Sequence, residues 1–388
     1  MLFYAFVVAG IVVVHLYLWK RLVADTIRPG WRRRAGTAVM VILGVTVAVT
    51  LFGVRNGYVQ WLGPPGYLWV AVMFYLMVTL AVLEVPRWVI ARRRRASPRT
   101  RGEAEAPASA TDRAGVERRL VLARGAAIFA GLTATGITTY GVRTAAGPPR
   151  LDRFQMPMKK LPRTMDGYRL AVVSDIHIGP RTGVEHARRI TRMINSMDAD
   201  VVCVVGDLVD GTVPQLGRFV EPLAGLRSRR GTYFVTGNHE YYSGVEEWIG
   251  EVTELGMRPL LNERVEIDGL YLAGVNDYDA AEHGGEPADY ARALGDRDTT
   301  RPTILMAHQP VAAEDAAPYR VDLQISGHTH GGQMVPFNLL VRLAQPVVSG
   351  FGTVDGVPVY VTNGAGSWGP PVRVGAPPQV TLIELRTA

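Results

Sequence analysis

The chain has 388 residues, 48% of them apolar, and a formal net charge of +7. That charge is unevenly divided, with 18 Lys+Arg against 6 Asp+Glu in residues 1–141 and 24 against 29 in residues 142–388. The positive excess therefore lies in segments flanking long apolar runs, which excludes the basic footprint of a nucleic-acid-binding domain, and the single Cys203 excludes an intramolecular disulfide.

Four apolar stretches are long enough to cross a bilayer, which takes about 20 helical residues. They are Leu2–Trp19, Thr37–Val54, Tyr67–Val85 and Leu120–Tyr140, the last rich in Gly, Ala and Thr with Arg124 near its start. The links after the first and third stretches are basic: Lys20, Arg21, Arg28 and Arg32–Arg34 in one, Arg87, Arg92–Arg95, Arg99, Arg101, Arg113, Arg118 and Arg119 in the other. The second link carries only Arg55, with Tyr58 and Trp61 as interfacial aromatics. Positive residues favour the cytoplasmic side, so both basic links are expected there and everything after the fourth span outside. Arg118-Arg119 before an apolar stretch also has the look of a twin-arginine export signal, which leads to the same side. His15, alone within the first span, reads as a tolerated histidine rather than a proton relay.

The expected organisation is a membrane region over 1–141 with a basic cytoplasmic linker near 87–119. An extended tether over 142–165, marked by Gly147-Pro148-Pro149 and Pro157, follows, and then a catalytic domain over 166–388. Residues 96–117, rich in Ala, Arg, Glu, Ser and Pro, read as a flexible linker.

Beyond the tether, strand and helix signals alternate. Strands are predicted at Tyr168–Ser174, Val201–Gly206, Thr232–Thr236, Tyr271–Val275, Thr303–Ala307, Leu323–Ser326, Pro358–Thr362 and Val380–Leu385, and helices at Val184–Met197, Glu246–Leu255 and Ala288–Leu294. Val201–Gly206 is a continuous apolar run, as in a strand buried on both faces, and places Cys203 as a buried small hydrophobe. The early pattern predicts βαβ units and the later, closely spaced strands a second sheet, an α/β domain.

Metal-competent residues follow nearly every strand: Ser174-Asp175-Ile176-His177, Gly206-Asp207-Leu208-Val209-Asp210, Gly237-Asn238-His239-Glu240, Ala307-His308-Gln309 and Gly327-His328-Thr329-His330. The intervals from Asp175 to Asp207 and from Asp207 to Asn238 each suit one strand–helix–strand crossover. Such crossovers gather the carboxyl ends of parallel strands, where open α/β sheets place their sites. Five of the domain's seven histidines lie at these ends; His186 and His283 do not. Alternate residues of an extended segment point the same way, so Asp175 with His177, and His328 with His330, are each expected to grip one ion. Imidazole, carboxylate and amide oxygen suit Mn²⁺, Fe or Zn²⁺ over Ca²⁺. Two ions about 3.5–4 Å apart clamp attacking and leaving oxygens in an in-line displacement. A carboxylate must lie between them, and Asp207 is the candidate.

This order of motifs, Asp-x-His, Gly-Asp-x-x-Asp, Gly-Asn-His-Glu, a later His and Gly-His-x-His, resembles the calcineurin-like metallophosphoesterases over about residues 168–386. Ser174–Gly179 and Gly327–Gln333 look most similar to the bacterial membrane-associated phosphodiesterase branch. The resemblance implies a two-sheet sandwich flanked by helices. It implies one metal on Asp175, His177, Asp207 and His330, and a second on Asp207, Asn238, His308 and His328. His239 is then a catalytic residue at the phosphoryl group and proton donor to the leaving group, and Asp207 bridges the ions.

Lesser candidates are Asp210, as an orienting carboxylate or a helix N-cap, and Glu240. Arg373 reads as a phosphate contact or a plain surface arginine, and Trp368, Tyr241 and Tyr242 as groove lining or packing. The expected activity is metal-dependent hydrolysis of a phosphomonoester or phosphodiester by a membrane-anchored enzyme, on lipid-linked or envelope phosphates. The competing expectations are an extracytoplasmic nucleotide phosphodiesterase and a non-catalytic membrane sensor or transporter with structural metals. The latter would show paired intramembrane charges.

Overall fold

The structure, a computed structural model, describes residues 2–54, 59–96, 111–180 and 182–388. Arg55, Tyr58, Arg99, Arg101 and all of the expected linker between 97 and 110 lie outside the described residues. The chain forms two units, residues 1–142 with 369–371, and residues 143–368 with 372–388.

The first unit is built from α1 (Leu2–Trp19), α2 (Trp31–Val49), α3 (Gly63–Ala96) and α4 (Thr111–Ala146). Its four segments apolar and long enough to cross a membrane are Ala5–Ala24, Trp31–Gly53, Gln60–Pro86 and Glu117–Ala146. Each reaches beyond its predicted bounds on at least one side, because helical hydrogen bonding continues through flanking polar residues that hydropathy alone leaves out. Several polar groups inside this unit are paired, although the Thr50, Tyr75 and Thr138 hydroxyls are buried without a hydrogen-bond partner. His15 Nδ1 lies 2.8 Å from the Ile11 carbonyl while Trp69 donates to its Nε2 at 3.3 Å. Arg124 donates to the Thr26 carbonyl, and Arg21 meets both Asp25 and Glu84 at 2.8 Å. Glu84, within the third apolar stretch, is thus half of an ion pair.

The second unit is an α/β sandwich of two six-stranded mixed sheets. One has the order β1-β12-β2-β3-β4-β5 and the other β10-β11-β9-β8-β7-β6. The first contains β1 (Arg150–Met158), β2 (Tyr168–Val173), β3 (Val201–Val205), β4 (Thr232–Val235), β5 (Met257–Pro259) and β12 (Gln379–Thr387). The second contains β6 (Glu263–Ile267), β7 (Leu270–Gly274), β8 (Thr303–Met306), β9 (Leu323–Ser326), β10 (Gly350–Val354) and β11 (Val357–Val361). The helices are α5 (Gly183–Asn195), α6 (Val213–Val220), α7 (Asn238–Ser243), α8 (Val245–Glu254), α9 (Tyr290–Leu294), α10 (Ala312–Ala316) and α11 (Asn338–Val341).

Strand periodicity sorts the core into layers. In β2, Leu170 and Val172 point between the sheets to join Cys203, Val235, Leu272, Met306, Ile325 and Ile383. Ala171 and Val173 point the other way, against Ile190 and Ile194 of α5, Leu216 of α6 and Trp248 of α8. A third layer packs β8 and β11 residues on Ala312, Ala313 and Ala316 of α10. Cys203 is fully buried, and burial pushes its thiol up to about 12.

The expected tether needs correcting. α4 runs on to Ala146, and residues 150–158 pair in parallel with all nine residues of β12. Phe154, Met156 and Met158 alternate onto the inter-sheet core, while Pro157 is tolerated because β1 is an edge strand with an unpaired side.

Candidate metal centre

β2, β3, β4 and β5 run parallel, as do β7, β8, β9 and β11, so the loops after β2, β3, β4, β8 and β9 are delivered to one end of the sandwich. All seven predicted ligands are on those loops. They fall into two clusters, Asp175–His177–His330 and Asp207–His308–His328, each with ligand atoms within 4.8 Å of one another. Asn238 joins the second through its Oδ1, 3.1 Å from His328 Nδ1. Asp207 Oδ2 lies 3.2 Å from His308 Nε2 and 3.8 Å from His177 Nε2, between the clusters.

The expected strand alternation is not what brings these atoms together. Asp175, His177, Asp207, His328 and His330 all have φ between 48° and 68°, the left-handed region costly for side-chain-bearing residues. Tight left-handed turns aim them. His328 and His330 consequently diverge into different clusters instead of gripping one ion. Gly237 makes the close approach possible: a Cβ there would stand 2.3 Å from Asp207 Oδ1.

Glu240 and Asp210 fix this geometry. The buried Glu240 carboxylate accepts backbone N–H groups from Asp207 (2.9 Å), Leu208 (2.7 Å) and Gly237 (2.7 Å), clamping two loops together. Burial, followed by the charge of Asp207, raises its pKa to about 7. Asp210 Oδ1 receives Nδ1 of both His177 and His239 at 2.7 Å. The N-cap of α6 is Thr212, so Asp210 orients imidazoles and does not cap a helix.

Arg373 is the largest departure from expectation. Its side chain is fully buried and binds main-chain oxygens of Gly366, His330 and Ala376, with Nη2 donating to His330 Nδ1 at 2.7 Å. It is neither a surface arginine nor placed to touch phosphate, but a brace behind His330. Of the aromatics, Tyr241 is half-buried, its hydroxyl 3.2 Å from Thr236 Oγ1. Tyr242 and Trp368 are exposed, their ring centroids 5.3 and 6.2 Å from that of His239.

Sequence reasoning missed Asp277. It is buried at the end of β7, accepts from Gln309 Nε2 at 3.2 Å, and burial raises its pKa to about 6. Its signal was available, since Asn276-Asp277 follows a strand just as the other motifs do.

Cations fit this residue set. His308 Nε2 is buried, with no well-directed hydrogen bond and only Asp207 Oδ2 beside it at 3.2 Å. The Nε2 atoms of His177 and His330 face each other at 3.0 Å. Among the described residues, neither Asp175 nor Asp207 makes an ion pair with lysine or arginine, and buried carboxylates require compensating positive charge. Burial raises Asp175, whereas Asp207 is held well below the usual range, burial being outweighed by the imidazoles led by His308.

A calcineurin-like phosphoesterase family model matches residues 168–332. The transmembrane protein with metallophosphoesterase domain of Danio rerio is 33% identical, the alignment covering 96% of this chain and 86% of that protein. The chain belongs to the calcineurin-like metallophosphoesterases. The protein of the same name from Bos taurus is 38% identical over 66% of this chain and 62% of its own length. An uncharacterized metallophosphoesterase of Helicobacter pylori J99 is 37% identical over 61% and 64%. Animal and bacterial members are thus both similar to this one, so the likeness is wider than a bacterial branch. A dimetal phosphatase structure from Danio rerio aligns with TM-score 0.33 and 10% identity over 51% of this chain and 88% of that one. This metallophosphoesterase is a phosphoric ester hydrolase with residue groups able to bind metal, joined to four helices of membrane-spanning length.

Proposed function

We propose that the chain is a membrane-anchored phosphoesterase working through two divalent ions, with its catalytic unit on the extracytoplasmic side. The observation that carries the two-ion reading is the position of Asp207 Oδ2 between the two imidazole–carboxylate clusters. Asp175, His177, Asp207 and His330 would hold one ion, and Asp207, Asn238, His308 and His328 the other. Ions so bound polarise phosphoryl oxygens and acidify a water molecule.

The protein's own part is positioning and proton transfer. His239 gives its Nδ1–H to Asp210, which leaves Nε2 as its working atom, 4.0 Å from Asp207 Oδ2. Burial opposes its protonation, but Asp207 and Asp210 outweigh burial and raise its pKa to about 9. Its Nε2 is thereby the atom placed to hand a proton to the departing ester oxygen. The basic links flanking the spans support the orientation, and anchorage beside a bilayer supports lipid-linked or envelope phosphates as substrates.

The test uses the full chain in nanodiscs with Mn²⁺, Fe²⁺ or Zn²⁺ added in turn, assayed on a soluble phosphomonoester, a soluble phosphodiester and lipid phosphates. Wild type should hold close to two metal equivalents and lose activity on chelation. Asp207→Asn should lose metal, and His239→Ala should keep metal while losing roughly 10²–10⁴ in rate. A chelated wild type as active as the loaded one would sink the proposal.

A further inference from the structure

The segment after the Gly-His-x-His turn carries α11 with a turn on either side, and its leucines point outward. Helical hydrogen bonds run from Leu339 N to Pro336 O through Gln345 N to Val341 O. Its inner side sets polar groups beside the half-buried Val341: Gln345 is buried, donating to Gln309 Oε1 at 3.0 Å and accepting from Val311 N, and Asn338 packs against Gly332. Its outer side is leucine. Leu339 is 61% exposed, Leu340 57% and Leu343 83%, with Val335 exposed beside them. Residues 338, 341 and 345 turn inward while 339, 340 and 343 stand exposed, so the apolar stripe faces away from the core.

Charge narrows the occupant. From Gly331 to Val354 there is one ionisable side chain, Arg342, and no acid. An exposed apolar face bearing a lone cation suits the boundary between anionic headgroups and acyl chains. A bilayer is at hand, since four segments are apolar enough to span one and only Gly147–Pro149 separate α4 from β1. The helix is also tied to the metal centre. It begins eight residues past His330, and the preceding Gln333 exchanges hydrogen bonds with the main chain of Trp368, whose ring faces His239.

We propose that residues 335–343 dock into the lipid surface and hold the metal centre against it, so that the substrate is a phosphate ester of a membrane lipid, its tail left in the bilayer. The substrate part rests on the phosphoesterase reading; the docking part does not.

Two measurements on the full chain in nanodiscs containing anionic lipid separate them. Cys203 is buried, so a cysteine introduced as Leu343→Cys can be labelled selectively with an environment-sensitive fluorophore. Glu254→Cys, at the exposed end of α8, serves as the water-facing control. Docking predicts blue-shifted emission at 343, quenched by shallow spin-labelled lipid, and neither effect at 254. Water-like emission at 343 overturns the proposal, and so does a blue shift without lipid quenching, which would mean that a second copy or another protein covers the helix. In the second measurement, the triple substitution Leu339→Gln, Leu340→Gln, Leu343→Gln should lower hydrolysis of a bilayer-embedded phosphate ester roughly tenfold or more while leaving a soluble phosphodiester within about twofold. Equal loss on both, or on neither, overturns the assigned substrate class. Failure of wild type on every substrate, with a quenched probe at 343, removes the phosphoesterase reading and leaves docking standing.

Discussion

His239 donates from Nδ1 to Oδ1 of Asp210 at 2.7 Å, and the same oxygen takes Nδ1 of His177 at 2.7 Å. One carboxylate thus sets the tautomer and tilt of a proposed metal ligand and of the proposed proton donor.

Asp210→Asn should therefore harm both jobs together. We expect metal affinity to fall about 10–100-fold, as for other orienting partners of metal-bound imidazole, with an accompanying loss of kcat at saturating metal. A double-mutant cycle with His239→Ala should be sub-additive in rate. Full additivity would show that Asp210 does not work through His239.

Glu240→Gln tests the clamp between loops. An amide cannot accept three N–H groups as the carboxylate does. A loss of about 1–3 kcal/mol is expected, read as a lower apparent Tm by roughly 2–4 °C per kcal/mol for a unit of this size. An unchanged Tm would contradict the clamp.

Arg373→Met keeps the bulk and removes every donor. It strands the His330, Gly366 and Ala376 carbonyls, all bonded to this guanidinium, at an expected cost of about 2–4 kcal/mol. Arg373→Lys should recover only part of it, because an ammonium lacks the planar fork. A substitution tolerated as at a surface site would be the refuting result, scored by thermal unfolding.

Gly237→Ala has no dihedral penalty, with φ at −107°. Its Cβ would nonetheless press on Asp207. The expected outcome is a folded protein with metal content well below wild type, measured by elemental analysis alongside circular dichroism.

His186 is outside the proposed ligand set, although it bonds the Ile176 backbone and feels the charge of His177, and it gives a pH signature of its own. Burial first, and then Arg189, lower its pKa from 6.5 to about 4, so the folded state prefers the neutral ring. Its stabilising contribution is complete above about pH 6.5 and drains as pH falls towards 4, because the unfolded chain binds the proton more tightly. Allowing for its partial exposure, the effect is about 1–2 kcal/mol. The drop in apparent Tm between pH 7.5 and 5 should be smaller in His186→Gln than in wild type; equal drops would refute this assignment.

The legible parts of the fold were those written in local pattern. β2, β3, β4, β7, β8, β9, β11 and β12 all overlap predicted strands, because each is a short β-branched or apolar run. The missing strands had other signatures. β1 was hidden behind Pro157, and β5 is three residues long and ends in Pro259. β6 and β10 are arms of hairpins whose Asp268-Gly269 and Asp355-Gly356 turns have positive φ at both residues, a two-residue turn chemistry present in the sequence and left unread. At the site, the convergence of the proposed ligands was legible because their spacing matches the crossovers. The left-handed backbone that aims them was not. Nor was the burial of Arg373, since composition makes arginine a surface residue until a particular set of carbonyls encloses it.

β12 lies between β1 and β2, although both of those strands precede it by more than two hundred residues. Gln379 at its start also accepts from Asn363 N and donates from its own N–H to the Gly364 carbonyl, beside Asp175. A nascent chain that has emerged only as far as residue 378 already contains all seven histidine, aspartate and asparagine donors, yet β1 has no neighbour and β2 has one open side. The cradle that gathers the donors is in this way closed by a strand that supplies none of them, and removing residues 379–388 would leave all seven donors around an unzipped sheet.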